Sequence, residues 1–163
     1  MQYLIVETAR RVDGHDGWDT SSKHKYSDEL GFGVLDAYAF VKAAKTWPLV
    51  KPQVWMSFPP VAFEGGAMTR SGELTGGKPL SKSGVSHTIE VTQKMVNDDD
   101  FDTIEHVQVR VWVQHKRRGD IQVTLTGPGG IVSRMGKSRP LDSDPTGLQG
   151  WTFSSVKHWY VFY

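Results

Sequence analysis

No cysteine occurs in the 163 residues, which excludes a disulfide framework and a thiolate metal site. No charge of one sign predominates: 19 Lys and Arg stand against 18 Asp and Glu, a net charge of +1. Neither sign forms a long block of the kind that tracks nucleic acid or lies on an anionic membrane. No run approaches the roughly 20 apolar residues that a helix needs to cross a bilayer, and the first residues lack a basic region followed by an apolar stretch. What the chain does have is 38% hydrophobic residues, with 17 Gly and 8 Pro as punctuation. That is enough for one modest core and a second, fragmentary one.

The apolar pattern changes period along the chain. Leu4, Ile5, Thr8, Ala9 and Val12 recur at helical spacing while Glu7, Arg10 and Arg11 face outward, which predicts a helix over 2–12. Asp13 to Lys25 is rich in Gly, Asp and Ser and reads as a polar loop. A second helix begins at Asp36 as N-cap, carries Ala37, Phe40, Val41 and Ala44 on one face, and stops before Pro48. The period then becomes alternating, placing a domain boundary near residues 48–52, with units of 1–49 and 50–163.

Beyond the boundary the chain reads as all-β. Gln53–Phe58 is a candidate first strand, Pro59 to Gly84 an exposed loop, and Val85–Val91 a half-buried strand. Asn97 to Asp100 is an acidic turn. The clearest strand is 104–114, where Val107, Val109, Val111 and Val113 alternate with polar or amphipathic residues. Arg117 to Asp120 turns the chain into Ile121, Val123 and Leu125, Gly127-Pro128-Gly129-Gly130 reverses it, and Ile131 to Met135 returns. Short strands punctuated in this way suggest a sandwich or jelly roll.

Several residue groups invite chemistry, each with a plainer reading beside it. Asp142, Ser155 and His158 are the types of a nucleophilic triad, but no Gly-x-Ser-x-Gly elbow surrounds Ser154 or Ser155, so a structural role is favoured. His15 and His24 with Asp13, Asp16 and Asp19 could ligate a cation, although the spacing fits neither an EF-hand nor a zinc signature. Asp98, Asp99, Asp100 and Asp102 could gather around calcium, or form a polar turn that needs no ion. Arg118-Gly119-Asp120 matches an integrin-recognition tripeptide, yet Gly and Asp there equally shape a turn whose flanking arginines reach carboxylates. Lys116-Arg117-Arg118 looks dibasic but lies between two strong strand patterns, where processing is disfavoured. Trp112, Trp151 and Trp159 could form a sugar platform, or serve as core and interface.

Taken in order, Gly31-Phe32-Gly33-Val34-Leu35-Asp36-Ala37, Arg117-Arg118-Gly119-Asp120, Arg139-Pro140-Leu141-Asp142 and Trp151-Thr152-Phe153-Ser154-Ser155-Val156-Lys157-His158-Trp159 resemble the kexin and furin-like proprotein convertases. The first set is similar to the end of their subtilisin-type protease domain. The others are similar to their P, or Homo B, domain. The resemblance implies a mainly β fold, the galactose-binding-like jelly-roll sandwich of a P domain, preceded by two helices left from an α/β protease domain. Leu148 stands where the family usually has Phe, keeping an apolar anchor.

The family's catalytic Ser, Asp and His fall upstream of Met1, so no catalytic or metal position is carried over and the chain alone is expected to be inactive. The resemblance implies that the P domain stabilises the catalytic domain of a calcium-dependent serine endopeptidase that processes proproteins after dibasic sites. Calcium is implied for that parent, with no cofactor in this chain. The partners implied are the subtilisin-like catalytic domain in cis and the parent's proprotein substrates; the expected setting is the secretory pathway, in the late Golgi lumen and membrane-anchored. Arg117, Arg118, Gly119, Asp120, Arg139 and Pro140 are its structural or domain-interface candidates, together with Trp151, Phe153, His158 and Trp159. The alternative is an autonomous jelly-roll module that binds carbohydrate or protein through exposed tryptophans. Tyr160-Val161-Phe162-Tyr163 departs from the family, which continues after this Trp with an acidic pair and a last strand. Trp-Tyr-Val codons can spell a splice donor, and the expectation is a tail translated from intron and a P domain truncated before its last strand. Apolar surface left uncovered by such a truncation predicts aggregation or partial unfolding of the isolated chain.

Overall fold

A computed structural model describes residues 1–21 and 24–159. The fold is mainly β, with three short α-helices among the described residues. Helix α1, Gln2–Thr8, buries Leu4 and Val6 and packs against α2, Ala37–Ala44. The helix predicted over 2–12 is therefore shorter. Ala9 turns to extended backbone, and Arg10 pairs instead with Val34, each N–H donating to the other's carbonyl at 2.9 Å. A tertiary bridge takes the backbone groups that would have extended the helix. Gly33 makes the approach possible: its φ is +122°, and a β-carbon there would lie 2.3 Å from the Arg10 carbonyl oxygen.

Asp36 caps α2 as the sequence suggests, its carboxylate accepting from the Ala39 N–H at 2.9 Å. None of the residues of α2 is buried; Tyr38 is 78% and Val41 58% exposed.

Two expected strands are absent. Gln53–Phe58 and Val85–Val91 enter no ladder, and Trp55 and Ile89 stay exposed. Alternation marks a chain able to line a sheet, but a strand also requires a neighbour to take its N–H and C=O groups. The 59–84 loop holds only a small hairpin, β1 (Ala67–Met68) with β2 (Leu74–Thr75). The expected acidic turn is half helix: α3, Gln93–Asp98, capped by the Thr92 hydroxyl, takes Asn97 and Asp98, and the chain turns at Asp99 and Asp100.

The principal strands match their patterns. β3, Val107–Val113, runs antiparallel to β6, Leu148–Ser155, with a bulge at Gly150. β4, Val123–Thr126, runs antiparallel to β5, Val132–Gly136, across the Gly127–Gly130 turn. The two pairs meet through β5 and β6. Buried Ile121, Ile131 and Leu148 form the core, with Leu148 only 1% exposed. Leu thus fills the anchor position. Among the described residues the strands form three two-stranded pairs; residues 160–163, and with them the expectation for the tail, lie outside the described residues.

Candidate functional site

The ten candidate residues separate into two places. The first is a knot of arginine, aspartate and tryptophan. Arg118–Asp120 is a turn of 3-10 helix laced to the 139–144 segment. Gly119 donates to the Asp142 carbonyl at 2.9 Å, Arg139 donates to the Gly119 carbonyl at 2.8 Å, and Arg118 donates to the Asp144 carbonyl at 2.8 Å. The side chains repeat the connection. Arg118 donates from Nε to Asp142 Oδ2 at 2.8 Å and from Nη1 to Asp144 Oδ2 at 3.2 Å, while Arg139 Nε reaches Asp142 at 3.2 Å. The Arg117 guanidinium donates to the Pro140 carbonyl and lies 3.7 Å from Asp120.

Trp151 carries both remaining guanidinium groups, Arg118 at 4.9 Å and Arg139 at 5.5 Å from its ring centroid. Phe153 follows on the same face of β6, 6.4 Å from Trp151. The hydrogen bond from Arg118 holds the Asp142 carboxyl below its ordinary range, aided by Arg139, and Asp142 in turn raises Arg118. Asp144 is lowered chiefly by bonds from the Thr146 hydroxyl and N–H.

This arrangement decides three sequence readings. Arg118 of the Arg-Gly-Asp tripeptide is occupied within the fold, so the tripeptide is a turn rather than a free recognition loop. Arg117 and Arg118 of the dibasic stretch are held by the same bonds. Asp142 is committed to arginines, away from His158, so Asp142, Ser155 and His158 form no triad.

The second place is a seam between residues 1–34 and the end of the β portion. Trp159 is 2% exposed and meets Tyr3, Phe32 and His106 edge-on at 5.2, 6.4 and 5.5 Å. Beside it, the Lys157 ammonium contacts Asp19 Oδ2 at 2.6 Å and lies 5.9 Å from the Tyr26 ring centroid. That bond, with the Ser21 hydroxyl and N–H, keeps the Asp19 carboxyl far below its usual range, and burial with nearby Asp28 raises the Tyr26 phenol. Lys137 reaches Asp28 at 3.5 Å. A cleft of about 540 Å³ follows this seam between Ser27 and Arg134.

His158, 1% exposed, shares a hydrogen bond with Ser133 at 3.0 Å, and Ser133 with Ser155 at 2.8 Å. Ser155 therefore belongs to a partly buried hydrogen-bonded chain with Ser133 and His158.

Most members of the proposed cation groups have other partners. His15 bonds Ser27 at 2.9 Å, His24 lies 3.4 Å from Glu7, and Asp19 holds Lys157. In the acidic turn, Lys51 contacts Asp100 and Asp102 at 2.8 Å each, and Lys94 contacts Asp98. Among the described residues, no group of three or more His, Cys, Asp or Glu is placed to hold a metal ion. The three tryptophans form no common platform: Trp159 is buried, Trp112 stacks on Arg110 at 5.0 Å and Trp151 lies under two arginines. The larger surface cleft, about 980 Å³ between β2 and the end of β3, has no tryptophan in its lining.

Sequence reasoning missed Tyr26 and Ser133, offered Asp19 only as a cation ligand and Lys157 only as part of the Trp151–Trp159 motif, and did not pair the two. Asp19 sat in a stretch read as a solvated loop. The available signal was Lys157 itself, a charge set among otherwise apolar and aromatic residues.

The family model of the proprotein convertase P-domain matches residues 104–161, the stretch that contains the arginine knot and one wall of the seam. The chain carries a proprotein-convertase P domain. Its P domain and upstream helices align together with Protease KEX1 of Kluyveromyces lactis, at 35% identity over 98% of the chain and 20% of that protein. Kexin of Saccharomyces cerevisiae is 35% identical over 98% of the chain and 19% of its own length. Human proprotein convertase subtilisin/kexin type 7 is likewise 35% identical, over 98% and 19%. The chain thus spans about a fifth of the length of these relatives. In fold it resembles a serine protease of Aeromonas sobria, with a TM-score of 0.68 at 19% identity over 98% of this chain and 30% of that one.

Proposed function

We propose that this chain is the C-terminal, non-catalytic part of a kexin-like, calcium-dependent serine endopeptidase that cuts proproteins after paired basic residues in the secretory pathway. Its P domain acts as a brace that keeps the upstream catalytic portion folded. The observation that carries this reading is the asymmetry of the helical segment. One side is clamped to the P domain by Trp159 and by the Lys157–Asp19 pair. The other presents Leu35, Tyr38 and Val41 on or beside α2, all more than half exposed, as a surface suited to further protein. Burying side chains of this size contributes about 1.5–3 kcal/mol each, a large share of the 5–15 kcal/mol that keeps a domain folded.

The test is a chimera in which this chain replaces the matching residues of Saccharomyces cerevisiae kexin. The expected product cleaves a fluorogenic dibasic peptide and loses activity when calcium is chelated. The same chimera lacking residues 50–159 accumulates no folded enzyme, and the chain alone leaves the peptide uncut. Full activity without residues 50–159 would refute the brace.

A further inference from the structure

We infer that His158 is an acid-sensitive latch on the seam: its neutral form holds residues 13–33 against the P domain, and its protonation loosens them. The inference rests on the seam that the brace uses, though not on what lies upstream.

The geometry is that of a site built for an uncharged ring. His158 is almost wholly buried, and Ser133 Oγ, 3.0 Å from Nε2, can donate to a neutral nitrogen. Gly127 of the β4–β5 turn lies so close that a β-carbon there would fall 2.6 Å from Nδ1, leaving no room for a carboxylate side chain at that position. β5 contributes Ser133 toward the ring, with exposed Arg134 on the opposite face of the strand. β6 contributes Ser155. From the turn after β6 that carries His158 itself comes Lys157, a cation whose ammonium is spent on Asp19, and from the 13–33 segment come Asp19 and Tyr26, both facing Lys157.

An imidazolium here would be desolvated beside a second cation, with no acidic side chain among the described residues hydrogen-bonded to it. Burial, followed by Lys157, accordingly depresses the His158 pKa from 6.5. Stability from a depressed histidine is fully present above the unfolded value and falls as pH drops below about 6.5. The loss reaches the seam directly, because the two residues flanking His158 are the ones that grip it.

The other histidines at the seam have partners of their own, away from the His158 ring. His24 lies 3.4 Å from Glu7 and His15 4.0 Å from Glu29. His106 meets Gln2 and the Trp159 ring.

The experiment compares hydrogen exchange of residues 13–33 in the full chain and in His158→Gln at pH 7.5, 6.5 and 5.5, pairing the proteins at each pH so that intrinsic exchange cancels. The chain as it stands is expected to open more with each step below pH 6.5, by at most about tenfold per pH unit for a single proton, while His158→Gln shows no such rise. Equal slopes in both proteins overturn the latch. Should the variant fail to fold, a proton NMR titration of the histidines in the full chain decides. A His158 midpoint below 6.5, accompanied by broadening of residues 13–33, supports the latch, and a midpoint at or above 6.5 overturns it. An inactive chimera together with a pH-dependent seam would reject the brace and keep the latch.

Discussion

Gly119→Ala separates a turn-forming role of the Arg-Gly-Asp sequence from a recognition role. A β-carbon at this position would lie 2.0 Å from the Arg139 carbonyl oxygen and 2.7 Å from that of Asp142. Both obstacles are backbone, so relief requires the 117–120 and 139–142 strips to separate by about 1 Å, given an ordinary carbon–oxygen contact of about 3.3 Å. That movement breaks or stretches the bonds from Gly119 to Asp142 and from Arg139 to Gly119, at about 1 kcal/mol each. Overpacking strain adds about 1–3 kcal/mol, and the total comes to about 3–5 kcal/mol. Urea unfolding followed by tryptophan fluorescence reads the change, since Trp151 lies beneath the two arginines that the strips carry. A loss below about 1 kcal/mol with an unaltered Trp151 environment would refute the close-packed turn. Asp120→Glu, which preserves charge at an exposed site, should by contrast leave the midpoint unchanged, although it would abolish tripeptide recognition.

Trp159→Ala should destabilise the chain by about 3–5 kcal/mol and release α1 and the Phe32 turn, seen as selective loss of hydrogen-exchange protection at both. Asp19→Asn should flatten the acid limb of the stability curve. The lowered Asp19 carboxyl contributes stability that is fully present above about pH 3.8 and lost as pH falls below it, so the chain and the variant should converge in acid unfolding. Lys51→Gln should leave calcium binding to the acidic turn undetectable by calorimetry; tight binding in that variant would show that Lys51 had been masking a cation site. The uncovered face of α2 should make the isolated chain self-associate, and a sharp cooperative melt of soluble monomer would contradict this.

Legibility in the sequence depended on whether a segment carries its own partner. β3, β4 and β5 were readable because the valine alternation and the Gly-Pro-Gly-Gly turn are local signals, and the Asp36 cap was readable because it satisfies a backbone donor three residues away. Val85–Val91 has the same alternation as β3 but no neighbouring strand among the described residues, so its pattern does not become a ladder. Helix α1 ended early because Arg10 pairs with Val34, a contact between segments that helical spacing cannot register. The arginine knot was legible as a set, since its turn needs Gly119 and its arginines need carboxylates. The seam was legible only in Trp159 and His158. Of its other half, Asp19 looks like solvated loop until Lys157 is placed against it, and Tyr26 follows directly after that loop.

The meeting of Tyr3 with Trp159 joins residues far apart in the sequence. During synthesis the first helix therefore emerges from the ribosome long before the indole that shelters it exists. For the whole of that interval it must wait with that contact unmade. Contacts so distant in sequence form slowly, and the nascent chain stays open to misassociation there until Trp159 arrives.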